Sequence, residues 1–244
     1  MTRSTDAARP RHRAENSYSR GEETRRRLIE VAIRLFGERG FEGASTRDIA
    51  RLAEVNSPAL QYYFDNKEGL YLACVEHMKA TSEAHFGPTL DAAEAVLQDA
   101  QASREALLEA FHHIQDAIAD YLLRDEDQAQ PRRLFLAQEQ AGRGGLAEPL
   151  YSRGKPRVTL VGAALVARLS GRSVDDPLTL LRLITANGQL MVFHVMPRAA
   201  MEAMGWQEFG EGNLRLLKQT VRAHTRALVD SWTASESAQA ESPR

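Results

Sequence analysis

The chain has 244 residues, a formal net charge of −2, 43% hydrophobic and 26% charged residues, the proportions of an ordinary globular protein with chain enough for a real core. Its single cysteine, Cys74, excludes an internal disulfide framework and a cysteine zinc site. No 18-residue apolar run stands out and the N-terminus lacks an apolar signal core, so no membrane partner is expected and a cytoplasmic location is the default.

Charge is distributed unevenly. Residues 1–27 carry eight Arg against four acids, residues 28–66 four Arg against six, and residues 67–244 nineteen Lys+Arg against twenty-three. A basic front end on an acidic body suits one DNA-facing end and one end with another task.

Residues 1–20 (MTRSTDAARPRHRAENSYSR) have almost no apolar side chains and no period. They read as a disordered basic arm, either solvated or resting on phosphates or a minor groove. Residues 21–40 predict a strong helix. Thr24, Leu28, Val31, Ala32, Leu35 and Phe36 follow the 3.6-residue period, and Gly40 closes it. Residues 45–67 (STRDIARLAEVNSPALQYYFDNK) then predict two short helices joined by a tight turn. Thr46 is placed to cap the first, with Ile49, Ala50 and Ala53 inward. Residues 53–55 turn, with Val55 as a buried hinge. Asn56 caps the second helix, and Pro58 falls in its first turn, where no N–H is needed. Leu60 and Phe64, four apart, anchor that helix. Ser57, Ala59, Gln61, Tyr62 and Tyr63 are left on its other faces, the short polar and aromatic set that a major-groove reader needs. The same pattern also describes a helical pair buried in any α protein.

Residues 67–86 predict a fourth helix with Leu70, Ala73 or Cys74, His77 and Met78 inward, broken at Gly87-Pro88. After it no alternating strand pattern occurs. Leu107, Phe111, Ile114, Ile118 and Tyr121/Leu122 form an apolar stripe. Residues 125–131 read as a polar loop and 132–140 as a helix ended by Gly142, Gly144 and Gly145, with a short element at 146–152. Residues 156–169 form a helix whose Gly162, Ala163 and Ala164 permit close packing, ended by Gly171. Residues 177–195 are apolar on more than one side, so that helix is deeply buried or part of an interface. Residues 204–206 turn. The last helix, 213–232, has the stripe Leu214, Leu217, Val221, His224, Leu228 and Trp232, and the tail 234–244 is low in complexity and reads as disordered.

The first quarter resembles a known family. Through A..LF...G at 32–40, TRDIA at 46–50, the Val55-Asn56 hinge and LQYYFDNKEGL at 60–70, residues 22–72 closely resemble the N-terminal domain of TetR-family transcriptional regulators. The body resembles the subgroup with a CecR-like C-terminal domain, through RLFLAQEQ at 133–140, PLYSR at 149–153, NGQLMVF at 187–193, the run 198–206 ending in MGW, and VRAHTRALV at 221–229.

The resemblance implies an all-α homodimer: an arm (1–20), a three-helix helix-turn-helix DNA-binding domain (21–66), a larger α-helical effector-binding and dimerisation domain (67–233) and a tail (234–244). Each headpiece places one recognition helix in a major groove of a double-stranded inverted-repeat operator. The two C-terminal helices of each subunit, here 178–196 and 213–232, pack as a four-helix interface. A small-molecule effector of unknown identity enters the body, changes the headpiece spacing and releases the DNA. The expected activity is that of a repressor. A DNA-binding activator and a helical interaction module that binds no DNA are the alternatives.

Residue roles follow from the same resemblance. Thr46 matches a phosphate contact and Arg47 a guanine reader, with a surface ion pair as the alternative for Arg47. Ser57 and Gln61 are base readers, Gln61 standing where the family often has Tyr. Tyr62 meets a phosphate or thymine methyl, and Tyr63, where many members have His, a phosphate. Pro58 and Ala59 replace a frequent Gly-Thr pair, and Ala59 can touch a thymine methyl. Lys67 matches a phosphate-binding Lys at a helix N-terminus. Dimer-interface candidates are Leu181, Ile184, Gly188, Met191, Leu217, Val221, His224 and Leu228; ordinary packing is the alternative for His224. Candidates for the effector pocket are polar groups on buried helices, His112, His113, Gln115, Arg133, Gln138, Asn187 and His194, with Phe111, Phe135 and Phe193 as walls. The spacings of His77 and His85, or His112 and His113, fit no metal-ligand motif, and no Walker A loop, G-x-G-x-x-G, H-E-x-x-H or G-x-S-x-G occurs. The expected protein is neither an enzyme nor a holder of a cofactor or metal.

Overall fold

In the computed structural model, residues 12–124, 126–140 and 156–240 are described, and every element among them is helical. In chain order they are α1 (His12–Gly43), α2 (Thr46–Leu52), α3 (Ser57–Phe64), α4 (Lys67–Gln98), α5 (Arg104–Leu123), α6 (Glu126–Gln140), α7 (Arg157–Ser170), α8 (Pro177–Val195), α9 (Pro197–Met204) and α10 (Glu211–Ala240). They fall into two compact units. One comprises Met1–Met78 with Leu134–Glu148, and the other Lys79–Arg133 with Pro149–Arg244.

The first unit is built around α1. Leu28, Ala32, Leu35 and Phe36 are buried on its inner face, as the period predicts. Gly40 leaves the helical region (φ 71°, ψ 173°), so the chain bends there and Phe41 folds back onto Phe36 at 5.8 Å. Ile49, Ala50, Leu60, Phe64, Leu70, Tyr71 and Cys74 close over α1. The Cys74 thiol is fully buried, lies 3.7 Å from the Ile29 carbonyl, and is pushed up in pKa by burial, so it packs as a small apolar group. The end of α6 completes this core. Phe135 stacks on Tyr71 at 5.0 Å and meets Phe36 edge-on at 6.5 Å, and Gln138 Nε2 donates to the Gly37 carbonyl at 3.3 Å.

The second unit has two apolar clusters. Phe86, Leu90, Leu108, Phe111, Leu165, Val166, Val229 and Trp232 belong to one. Ala119, Leu123, Leu190, Leu214, Leu217 and Val221 form the other. A polar pair links α8 to α10, Gln189 Nε2 donating to the Thr225 hydroxyl at 3.3 Å. Charged clamps set the helix pairing at the rim. Arg222 of α10 pairs with Asp116 (2.7 Å) and Glu109 (2.6 Å) of α5. Arg157, at the start of α7, pairs with Glu83, Asp91 and Glu94 of α4. Single pairs of this kind contribute little stability, but together they fix direction.

Several boundaries differ from the sequence reading. Helix α1 begins at His12, within the segment read as an arm, and α10 runs to Ala240, within the segment read as a tail. Both stretches continue an established helix, and neither 13–20 nor 233–240 contains Pro or Gly to stop it. Gly87-Pro88 does not break α4. Pro88 is exposed, so water can serve the carbonyl one turn earlier that loses its N–H partner. Pro131 lies inside α6, so residues 126–131 are helix where a loop was expected. The glycines at 142–145 and the short element at 146–152 lie outside the described residues. Helix α8, Pro177–Val195, is long and apolar enough by composition to cross a membrane. Its hydropathy arises because both faces are apolar: Leu183, Ala186 and Leu190 point into the unit, and Leu181, Ile184 and Met191 point out.

Candidate nucleic-acid interface

Helix α2 is capped by Ser45, not by Thr46 as the sequence suggested. Ser45 is extended (φ −96°, ψ 141°) and its Oγ accepts from Asp48 N at 3.0 Å, whereas Thr46 is already helical. The Asp48 carboxylate also accepts from Arg39 of α1 (3.2 Å) and from Arg51 (3.3 Å). Hydrogen bonding from Ser45, then the Arg51 and Arg39 charges, hold its pKa below the usual carboxylate value. Among the described residues Arg47 makes no ion pair, and it is exposed. Ala53 is fully buried at the turn, and Glu54 takes the positive φ (55°). Val55, expected to be a buried hinge, is half-buried, because Ala53 fills the inner position.

Helix α3 forms as its caps dictate. Asn56 Oδ1 accepts from Ala59 N at 2.9 Å, and Pro58 sits in the first turn. Leu60 (2% exposed) and Phe64 (5%) pin one face to the core. Ser57, Pro58 and Gln61 are exposed, Tyr62 is 83% exposed, and Ala59 and Tyr63 are half-buried. Tyr62 and Tyr63 meet edge-to-face at 5.3 Å. The presented face is therefore small and polar at its start and aromatic at its end.

Chain reversal into α4 is tightly built. Asp65 takes a positive φ (56°), and Asn66 Oδ1 accepts from Gly69 N at 2.7 Å. A Cβ on Gly69 would stand 2.3 Å from the Phe64 carbonyl oxygen, so only glycine fits. The Lys67 ammonium lies 4.4 Å above the Phe41 ring and 3.4 Å from the Glu42 carbonyl. That holds it at the α4 N-terminus with hydrogen-bonding capacity left for an anion. Sequence reasoning missed Asp48, Asn66 and Gly69. The N-x-x-G spacing of Asn66 and Gly69 was the available signal.

The effector-pocket candidates divide between places. Gln115 of α5 donates to the Ala186 carbonyl (3.2 Å) and to Asn187 Oδ1 (3.4 Å) of α8, which brings Gln115 and Asn187 together. His112 is buried, with Nδ1 3.4 Å from Glu109, and burial pushes its pKa down. His194 is lowered by burial and by the Arg133 and Arg132 charges. Phe111 belongs to the apolar core. Phe135 and Gln138 belong to the first unit, as described above. A cavity of about 480 Å³ runs along α4 and α5, between Pro88, Thr89, Ala92 and Val96 on one side and Ala106, Glu109, Ala110 and His113 on the other. None of Phe111, His112, Gln115, Arg133, Phe135, Gln138, Asn187 and His194 lines it; His113 does. Polar groups within an apolar stripe point inward to close packing, whereas this space opens where the alanines of α5 leave room.

The interface candidates also divide. Leu181, Ile184, Gly188 and Met191 are exposed along one face of α8, as are His224 and Leu228 on α10. A Cβ on Gly188 would meet nothing within 4 Å. Leu217 and Val221 are instead buried within the second unit, against Leu190 and Leu214, and cannot serve a partner. The outward row of α10 is Leu216, Thr220, Ala223 and Ala227. Among the described residues no group of three metal-ligating side chains occurs.

Residues 28–74 match the profile of bacterial regulatory proteins of the tetR family, and residues 107–231 match the C-terminal domain of the HTH-type transcriptional dual regulator CecR. CecR of Shigella flexneri is 27% identical over 205 residues, spanning 84% of this chain and 91% of that one. The probable HTH-type transcriptional regulator YttP of Bacillus subtilis is 36% identical over 91 residues, 37% of this chain and 42% of that one. Among solved structures, the TetR-family regulator PfmR of Thermus thermophilus aligns over 83% of this chain and 97% of its own, at 18% identity and a TM-score of 0.49.

Proposed function

Since this chain belongs to the TetR family of transcriptional regulators, with a CecR-type C-terminal domain, and such regulators are not enzymes, we propose that it is a repressor that binds an inverted-repeat operator as a homodimer and leaves it when a small-molecule effector binds. The observation that carries this reading is α3: an eight-residue helix whose Leu60 and Phe64 are locked inward while Ser57, Gln61 and Tyr62 face solvent. Ser57 and Gln61 read base edges, Arg47 reads a guanine, and Ala59 touches a thymine methyl. Pro58 stiffens the approach. Thr46, Tyr62, Tyr63 and Lys67 grip phosphates.

The outward face of α8 supports the homodimer. Leu181, Ile184 and Met191 present a row of apolar side chains beside the open Gly188, a surface that a second copy would cover. His224 and Leu228 lie on the outer side of α10. The effector enters the second unit, and the protein works in the bacterial cytoplasm, as soluble members of the family do. The word "dual" in the name of the CecR relative favours a second reading, in which the same DNA contact also activates some promoters.

Selection of bound duplexes from a random pool, with full-length protein at physiological salt, tests the proposal. A short inverted repeat is the expected result. Absence of any enriched sequence, also after stripping and refolding to remove bound effector, overturns it.

A further inference from the structure

We propose that the groove between α4 and α5 in the second unit binds an organic ammonium compound, with its apolar body on the alanine floor and its charged nitrogen at the Glu109 carboxylate. The inference rests on the reading that an effector enters the second unit, and it names the place and the chemical class. The groove has a volume of about 480 Å³, within the range of about 300–1,000 Å³ common for small-molecule sites. Ala92, Ala93 and Val96 of α4 and Ala106 and Ala110 of α5 line it. Side chains this short leave the space between the two helices unfilled, and an apolar body that enters it takes the place of water. The polar groups on its walls are few: Thr89, Glu109 and His113.

Charge selects the ligand. Glu109 is half-buried, and its Oε1 accepts from Arg222 at 2.6 Å, with His113 Nε2 at 3.2 Å. Among the described residues its Oε2 meets only His112 Nδ1, at 3.4 Å, so capacity remains for another donor. Hydrogen bonding from Arg222, then from His112, holds the carboxyl below its usual pKa, so it is charged at neutral pH. The surroundings do not cancel that charge. On the α5 side the carboxylates Glu105, Glu109 and Asp116 share the guanidiniums of Arg222 and Arg226, while Arg104 and Asp230 balance each other. On the α4 side Glu83, Asp91 and Glu94 share Arg157. The sequence holds no Lys or Arg between Lys79 and Arg104. Both walls therefore carry more carboxylate than guanidinium, and a cleft with apolar walls concentrates such a field. An ammonium gains from it, a carboxylate ligand is repelled, and a neutral body gains only burial.

The test uses full-length protein and three fluorescent probes that share one apolar body: 2-naphthylmethylammonium, 2-naphthylmethanol and 2-naphthoate, which are positive, neutral and negative. Wild-type protein is expected to bind the ammonium at least ~10-fold tighter than the alcohol, and the naphthoate weakest. Glu109→Gln should remove that preference and bind the ammonium and the alcohol alike. Arg222→Gln, which frees Glu109 from its competitor, should tighten binding of the ammonium alone. Ala92→Phe, at an exposed position on the wall of the groove, should weaken all three. Retained helical circular dichroism verifies the fold of each variant. No preference of the wild type for the ammonium, or a preference that survives Glu109→Gln, overturns the inference and leaves the operator reading intact. So does an Ala92→Phe variant that shifts the dimerisation constant yet keeps the probes, which assigns the groove to a second copy. Glu109-dependent ammonium binding by a protein that selects no inverted repeat overturns the repressor reading and leaves this site standing.

Discussion

Removing the Phe135 ring tests whether the end of α6 is part of the headpiece core. The ring is 2% exposed, stacks on Tyr71 at 5.0 Å and meets Phe36 edge-on at 6.5 Å. Phe→Ala at such a site costs about 3–5 kcal/mol, lost burial and the cavity left behind together. About 0.5–1.5 kcal/mol of that belongs to each aromatic pair. For a unit of this size the loss lowers the melting temperature by roughly 10–40 °C. The assay exploits an asymmetry. Both tryptophans, Trp206 and Trp232, lie in the second unit, so tryptophan fluorescence follows that unit while far-ultraviolet circular dichroism follows both. Phe135→Ala should split off an early circular-dichroism transition with no matching fluorescence change, and Phe135→Leu, which refills most of the volume, should restore most of the loss. A loss below ~1 kcal/mol, or a fluorescence transition that moves first, would refute the placement of Phe135 in the headpiece core.

Four further outcomes are expected. Gln61→Ala should relax preference at one operator position by ~1–3 kcal/mol, whereas Lys67→Ala should weaken all sequences alike and lower the salt slope by about 0.9; identical behaviour across a mismatch series sinks the division of roles. Glu139 is 9% exposed, its carboxylate oxygens find no hydrogen-bond partner among the described residues, and burial raises its pKa. A raised folded-state pKa means that its carboxyl stabilises the fold at low pH, and that this is lost as pH rises through the folded value. Glu139→Gln should therefore raise the melting temperature at pH 7 and bring little gain near pH 4; a pH-independent gain contradicts that assignment. Ile184→Glu should weaken dimerisation by about 10²–10⁴-fold in sedimentation equilibrium, since each copy loses ~1.5–3 kcal/mol of apolar burial. Leu217→Ala should cost ~2–5 kcal/mol of stability yet leave the dimerisation constant alone, and Ala227→Glu should do the reverse; exchanged results would place the partner on the other side of α10.

The DNA-facing elements were legible because their determinants are local. Asn56 and Pro58 start α3, Leu60 and Phe64 orient it, and Gly40 ends the straight part of α1, all within a few residues of where they act. What escaped was set by backbone angles or by distant partners. Ser45 and Thr46 are adjacent hydroxyls of equal capping chemistry, and only the extended backbone at Ser45 decides between them. Phe135 carried no sign that its neighbours would be Phe36 and Tyr71, 99 and 64 positions earlier in the chain. Pro88 reads as a stop in any single sequence, yet a proline on the wet side of a long helix removes one hydrogen bond and need not end it.

Helix α10 shows how a correct period can mix two faces. The stripe Leu214, Leu217, Val221, His224, Leu228 and Trp232 advances by 3.6 residues on average, so it identifies the helix well. Its individual steps do not stay on one line, however. Buried positions run Leu214, Leu217, Val221, Thr225, Val229 and Trp232, with Thr225 and Val229 fully covered and His224 and Leu228 turned out. A Thr inside the row and a His and Leu outside it reverse the polarity that pattern reading relies on. The reversal has a physical cause, because the Thr225 hydroxyl is satisfied by Gln189 of α8 and so can be buried without penalty. A helix that packs inward on its own unit and outward on a second copy needs two apolar rows. Hydropathy alone reports the sum of them, and only the partner of each polar residue tells which row is which.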